Sequence, residues 1–259
     1  MEKELWGWLD PSILERIVVV SPHFDDAAMG TGHVLITYPA STVITVLAGR
    51  PPAYPPEVTE WDALGGFKTG DDVVGARREE DRAAMEVLGA DPVWLDFSDH
   101  QYLDPPDRPT PTDVAPALQA AIAAVGPTAV FLPMGLANPD HVLSHDAGLL
   151  VRDALGSNDA GGDGPAWFGY EDAGYKHLPG MLAWRVSKLF RGGLWPTPSM
   201  VPVQLDMERK RTAIMKYTSQ VAPLQQDHLL SERLEGNVPE QYWRLSPPPS
   251  GWEGLTSAE

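Results

Sequence analysis

The 259-residue sequence contains no cysteine. Disulfide frameworks, thiolate metal sites and cysteine nucleophiles are therefore excluded together. Basic residues are scarce: 19 lysines and arginines stand against 36 aspartates and glutamates, a formal net charge of −17. Nucleic acids and anionic membrane surfaces both require basic patches, so neither is an expected partner. No apolar run approaches the roughly 20 residues that span a bilayer. The charged start, Met1 to Asp10, also lacks the apolar segment of a signal peptide. These absences lead to the expectation of a soluble, cytoplasmic protein.

Apolar residues make up 43% of the chain, enough for a substantial core. Apolar, strand-like runs recur at Ile17–Val20, Val43–Leu47, Val93–Leu95 and Ala129–Leu132. Helical patterning fills the gaps: Met29–Ile36, then Arg77–Leu88 stopped by Gly89, then Val114–Val125 stopped by Gly126-Pro127. This alternation predicts an α/β fold with a mostly parallel sheet and helices on both faces. A single domain over residues 1–259 is expected, with loop insertions near 49–76 and 156–202 and a loose tail from about 247.

The first run ends abruptly in Ser21-Pro22-His23-Phe24-Asp25-Asp26. Proline cannot continue a strand inside a sheet, so one imidazole and two carboxylates fall just past its C-terminal end. In open α/β sheets that edge is where ligands bind. An Asp25 or Asp26 that merely caps the following helix is the plainer alternative. A second polar cluster, Asn138-Pro139-Asp140-His141 with His145 one turn on, follows the fourth run. On a helix His141 and His145 share a face. With His23 and Asp26 they form a candidate metal site, and three protein ligands with an open position mark a catalytic zinc.

Several further segments carry a resemblance in the same order. Pro22-His23-Phe24-Asp25-Asp26 and Asn138-Pro139-Asp140-His141 resemble the "PHxDD" and "HPDH" motifs of the PIG-L family, the LmbE-like zinc N-deacetylases. Arg77 to Leu88-Gly89, Leu95 to Asp99, Tyr170 to Tyr175 and Lys210 to Ser219-Gln220 are similar to the family's intervening segments. The resemblance implies a Rossmann-like fold that hydrolyses acetamides on amino sugars. It implies zinc on His23, Asp26 and His141, with Asp25 as the base that deprotonates the attacking water. It also implies substrate contacts at Arg77 and Asp99, and a neighbouring rather than ligating place for His145. An Asp/His₂ donor set accepts Fe²⁺ or Co²⁺ as well as Zn²⁺.

One position departs from the family. Asn138 stands where most relatives have histidine. An amide can donate a hydrogen bond to an oxyanion but cannot transfer a proton. Either Asp25 carries both proton steps, or His100 or His145 approaches the site, or activity is weakened. The expected substrate is a small amino sugar or a glycoconjugate, an N-acetylglucosamine-type group on a larger molecule. An amidase on a thiol-sugar conjugate, and a weakened homologue that only binds sugar, remain as alternatives. Acyl group, native metal and homo-oligomer formation stay open. Elsewhere, Gly30-Thr31-Gly32 beside His33 reads as close helix packing and Trp94 as core. His177 and His228 read as surface, and Trp61, Trp167 and Trp195 fall in loop-like regions.

Overall fold

The computed structural model describes residues 9–159, 162–235, 239–248 and 251. The expectations for the charged start and for the tail fall largely outside that set. Seven strands form one sheet in the order β3-β2-β1-β4-β5-β7-β6. They are β1 (Ile17–Ser21), β2 (Thr42–Thr45), β3 (Asp91–Trp94), β4 (Ala129–Pro133), β5 (Ala166–Tyr170), β6 (Trp195–Ser199) and β7 (Tyr242–Ser246). β3, β2, β1, β4 and β5 run parallel, and β7 pairs antiparallel with both β5 and β6.

β1 is an interior strand and is buried along its whole length. Val18 and Val20 enter one core with Ile44 and Val130, while Ile17 and Val19 enter the other with Val43 and Phe131. A strand buried on both faces needs apolar residues at every position, which is why it reads as a continuous run. One face is covered by α1 (Asp26–Thr37), α3 (Val73–Leu88) and α7 (Met207–Ile214). The other carries α4 (Pro111–Val125), α5 (Pro139–Leu155) and α6 (Met181–Arg191). α2 (Glu60–Leu64) and α8 (Thr218–His228) pack on each other, with Trp61 and Leu224 joining the core of Ile17 and Val19, and α9 (Leu230–Glu235) follows. Among the described residues no helix is long and apolar enough to cross a membrane.

The expected stops hold. Gly89 ends α3 at φ +81, in the left-handed region that glycine enters without strain. The expected close packing of α1 is real at Gly30, where an added Cβ would lie 2.6 Å from the Tyr170 ring on β5. The segment 156–202 differs from expectation. It supplies β5, α6 and β6 rather than a loop. β5 reads Ala-Trp-Phe-Gly-Tyr and is buried throughout, so Trp167 lies in a core strand rather than a loop. Its glycine, and the glycine-rich sequence before it, mask the strand signal. β6 carries two prolines, tolerated because it is the outermost strand. There Trp195 packs on Phe190.

Asp81 on α3 is fully buried and ties three elements together. It accepts hydrogen bonds from Trp94 Nε1 at 2.7 Å and Tyr217 Oη at 2.8 Å. Burial pushes its pKa up to about 6, against those two bonds. The folded state holds this proton more tightly than the unfolded chain does. Its stabilising contribution is therefore complete below about pH 4 and is lost as pH rises through 6. Asp81→Asn removes the titration and keeps both contacts, because a tyrosine hydroxyl can accept as well as donate. Relative to this variant, wild-type protein is expected to lose about 2 kcal/mol between pH 4 and pH 8. Urea melts of the two proteins across that range check it, and parallel curves refute it.

Candidate active site

β1 and β4 are parallel neighbours. The chain leaves β1 toward β2 on one side and β4 toward β5 on the other, so the sheet's switch point lies between them. Their C-terminal ends therefore open a crevice, and both polar clusters stand at it.

After β1, Ser21 Oγ accepts the N–H of Ala27 at 3.0 Å and donates to the carbonyl of His23 at 2.5 Å. This serine pins the turn and satisfies one donor of the helix's first turn. Asp25, although it precedes α1, makes no capping hydrogen bond. The plainer reading of Asp25 as a cap is thus not what the geometry shows. Phe24 is buried edge-on to Trp94. After β4, the loop passes through Ala137 at φ 56, a strained value for a non-glycine residue. Asn138 then caps α5, accepting Asp140 N at 2.8 Å, and Pro139 occupies the first turn.

The two turns bring His23, Asp26 and His141 together, with ligand atoms within 4.8 Å of one another. His23 Nδ1 and His141 Nε2 each lie 3.3 Å from the same oxygen, Asp26 Oδ2. Each imidazole rests its other nitrogen on a carboxylate. His141 Nδ1 meets Asp172 Oδ1 at 2.5 Å, and His23 Nε2 meets Asp140 Oδ2 at 3.1 Å. Those bonds fix the tautomers, leaving the two lone pairs aimed at one point beside Asp26. Two nitrogens and one carboxylate oxygen fit a divalent zinc-type ion with room for further ligands. His23, Asp99 and Asp140 form a second such group on the other side of the His23 ring. There the carboxylate of Asp140 is already shared with His100 Nδ1.

The charges follow from this packing. Burial would lower the pKa of His23, but Asp140, Asp26 and Asp99 outweigh it and hold it well above its usual value. For Asp26, burial is overcome by His141 and His23, which keep its pKa low. At Asp25 the nearby charges of His23 and Arg77 are outweighed. Burial, then the charge of Asp26, pushes its pKa up to about 7.

A family model, PIG-L: GlcNAc-PI de-N-acetylase, matches residues 18–151, just over half of the chain. The chain belongs to the PIG-L family. No curated protein matches it by sequence. The PIG-L chain is similar in structure to the A40926 pseudoaglycone deacetylase Dbv21, with TM-score 0.68 and 25% identity over 90% of this chain and 98% of that one. It is also similar to a zinc-inhibited form of the teicoplanin deacetylase Orf2, with TM-score 0.69 and 22% identity over 91% and 100% of the chains. The N,N'-diacetylchitobiose deacetylase from Pyrococcus horikoshii shares the fold at TM-score 0.62 and 16% identity, over 98% and 94% of the chains.

In this PIG-L protein every expected site residue borders one cavity of about 240 Å³: His23, Asp25, Asp26, Arg77, Asp99, Asn138 and His141. Arg77 is largely committed, with its guanidinium 2.6 Å from Asp62 Oδ1 and bonded to Tyr102 Oη. Asp99 accepts from Gln101 N and Nε2 at 2.9 and 2.7 Å. Asn138 donates to Tyr175 Oη at 3.1 Å. Of the two extra histidines, His100 lines the cavity and His145 does not. His145 is fully buried against Pro133 O, and burial with Arg185 nearby brings its pKa down to about 3. Of the two histidines expected at the surface, His177 is exposed, whereas His228 lines the cavity between Trp61 and Tyr175. Trp61 also lines it, its N–H held by Gln220 Oε1 at 2.8 Å.

Asp140 and Asp172 were missed as site residues. Asp140 lies within the second motif and Asp172 within Tyr170–Tyr175, but spacing alone does not show which carboxylate will meet which imidazole.

Proposed function

We propose that this protein is a metal-dependent N-deacetylase acting on an N-acetylglucosamine-type group carried by a larger molecule. The observation that carries the reading is the His23, Asp26 and His141 donor set, with the uncapped carboxylate of Asp25 beside it on the wall of one cavity. His23, Asp26 and His141 would hold the ion. A bound zinc ion acidifies water and polarises a carbonyl, which is the help an unreactive amide needs. Asp172 and Asp140 hold the two imidazoles in the tautomers that binding requires. Asp25, with its pKa near 7, takes a proton from the attacking water and returns it to the departing nitrogen. Asn138 cannot serve in that second step, and His145 does not border the cavity.

The cavity's other wall is apolar: Phe24, Met29, Leu47, Trp61, Val74 and Leu224. Such a surface suits the flat face of a sugar ring and an apolar extension beyond it. Two structural neighbours are deacetylases of the A40926 pseudoaglycone and of N,N'-diacetylchitobiose. The test is metal analysis of purified protein together with acetate release from N-acetylglucosamine and its aryl glycosides. About one divalent ion per chain and metal-dependent acetate release are the expected results. Protein that binds no metal after reconstitution sinks the reading. Metal-loaded protein inactive on every amino sugar tested overturns the assigned substrate class.

A further inference from the structure

The position where the family resemblance leads one to look for histidine carries an amide whose two ends are both in use. Asn138 Oδ1 accepts the N–H of Asp140 at 2.8 Å as the cap of α5. That bond settles which end of the side chain is oxygen, so the NH₂ group faces Tyr175. Nδ2 is a donor only, and Tyr175 Oη at 3.1 Å is therefore the acceptor. A phenol that accepts from Asn138 must turn its own hydrogen elsewhere. Among the described residues that hydrogen meets no acceptor.

The ring is held firmly. It stands edge-on to His141, with centroids 5.0 Å apart, and edge-on to His228 at 5.2 Å. The Tyr175 N–H is bonded to the carbonyl of Asp172, the residue whose carboxylate orients His141. One short segment thus fixes both a metal-facing imidazole and a hydroxyl on the wall of the same cavity.

Resting on the deacetylase reading, we propose that Tyr175, and not Asn138, donates the hydrogen bond to the oxygen of the reacting amide carbonyl, and that Asn138 is the residue that positions it. As water adds, that oxygen gains negative charge. A donor already turned toward it costs no reorganisation. The Asn138 N–H on the phenol oxygen also polarises the O–H bond in the required sense. No covalent bond to Tyr175 forms, and its proton stays on the phenol throughout.

Tyr175→Phe removes one oxygen and keeps the ring between the two imidazoles. In metal-loaded enzyme it should lower kcat for acetate release about 10²-fold, the effect of losing one such donor, with KM little changed. Metal content should be unaltered. Affinity for a methylphosphonyl analogue of N-acetylglucosamine, whose tetrahedral oxygens imitate the charged state, should fall by a similar factor. Asn138→Asp is the companion variant. Aspartate caps a helix as well as asparagine does, but it offers Tyr175 an acceptor that captures the phenolic hydrogen. It should lose nearly as much kcat as Tyr175→Phe, and the double variant should be no worse than either single one. Full kcat and full analogue affinity in Tyr175→Phe overturn the inference, and so do strictly multiplicative losses in the double variant. Wild-type enzyme that releases no acetate marks failure of the deacetylase reading instead, a distinct result.

Discussion

Asp25→Asn is expected to lower kcat for acetate release by about 10³-fold, within the range that a positioned general base contributes. Metal content and fold should be unchanged. The substitution is nearly isosteric, and the helix behind Asp25 takes its first hydrogen bond from Ser21, not from Asp25. Only the ability to accept and return a proton is removed. The effect should be larger than that of the neighbouring hydrogen-bond donors because Asp25 is assigned both proton steps. The pH profile adds a second reading. Burial and the charge of Asp26 place the Asp25 pKa at about 7 in the metal-free protein. A cation beside it favours the carboxylate, so the acid limb of kcat/KM for the loaded enzyme should fall below pH 7. That limb should be absent from the residual rate of Asp25→Asn. A variant retaining wild-type turnover with the same limb would assign the base to another titratable group lining the cavity, such as Asp99 or His100.

How much of this could be read in advance differs between the two halves of the chain. The first four strands and the three long helices between them were legible because a parallel, doubly covered sheet demands unbroken apolar runs, whereas α2 lies inside the stretch near 49–76 expected as a loop. Proline and glycine then mark where each run stops. The same logic placed both polar clusters at strand ends, and the fold sets those ends side by side at the switch point. Beyond residue 155 the signal weakens. β5 contains a glycine because Met134 lies against that face, and β6 contains two prolines because, among the described residues, it is the outermost strand. Both residues are breakers in a sequence and permitted only by their tertiary setting. The supporting carboxylates were hidden for a different reason. Asp172 reaches His141 across 31 positions, and Asp140 reaches His23 across 117. No local pattern encodes such a pairing. Arg77 illustrates the converse: its place on the cavity was foreseen, but its buried partner Asp62, on α2, was not.

The other large effect concerns how the donor set is held. His141→Ala removes one of three ligands and should leave protein that does not retain a divalent ion through dialysis, with acetate release at background. A two-ligand remnant of His23 and Asp26 is too weak to compete with water and buffer for the ion. Asp172→Asn tests the same site more finely. Its amide can still approach His141 Nδ1, but it no longer supplies the carboxylate that fixes the imidazole's proton there. Metal affinity should fall about 10- to 100-fold, the usual cost of losing such a partner. Excess metal should restore most of the activity of Asp172→Asn and none of that of His141→Ala. The contrast separates a residue that binds the ion from one that aims the ligand. Asp172 Oδ2 also accepts the N–H of Leu136 at 3.2 Å, in the loop that leads to Asn138. Its loss should therefore loosen that loop too, and rescue by metal should stop short of the full wild-type kcat. Complete rescue would confine Asp172 to the imidazole. Equal, irreversible inactivation of both variants would show that Asp172 shapes the whole site rather than one ligand.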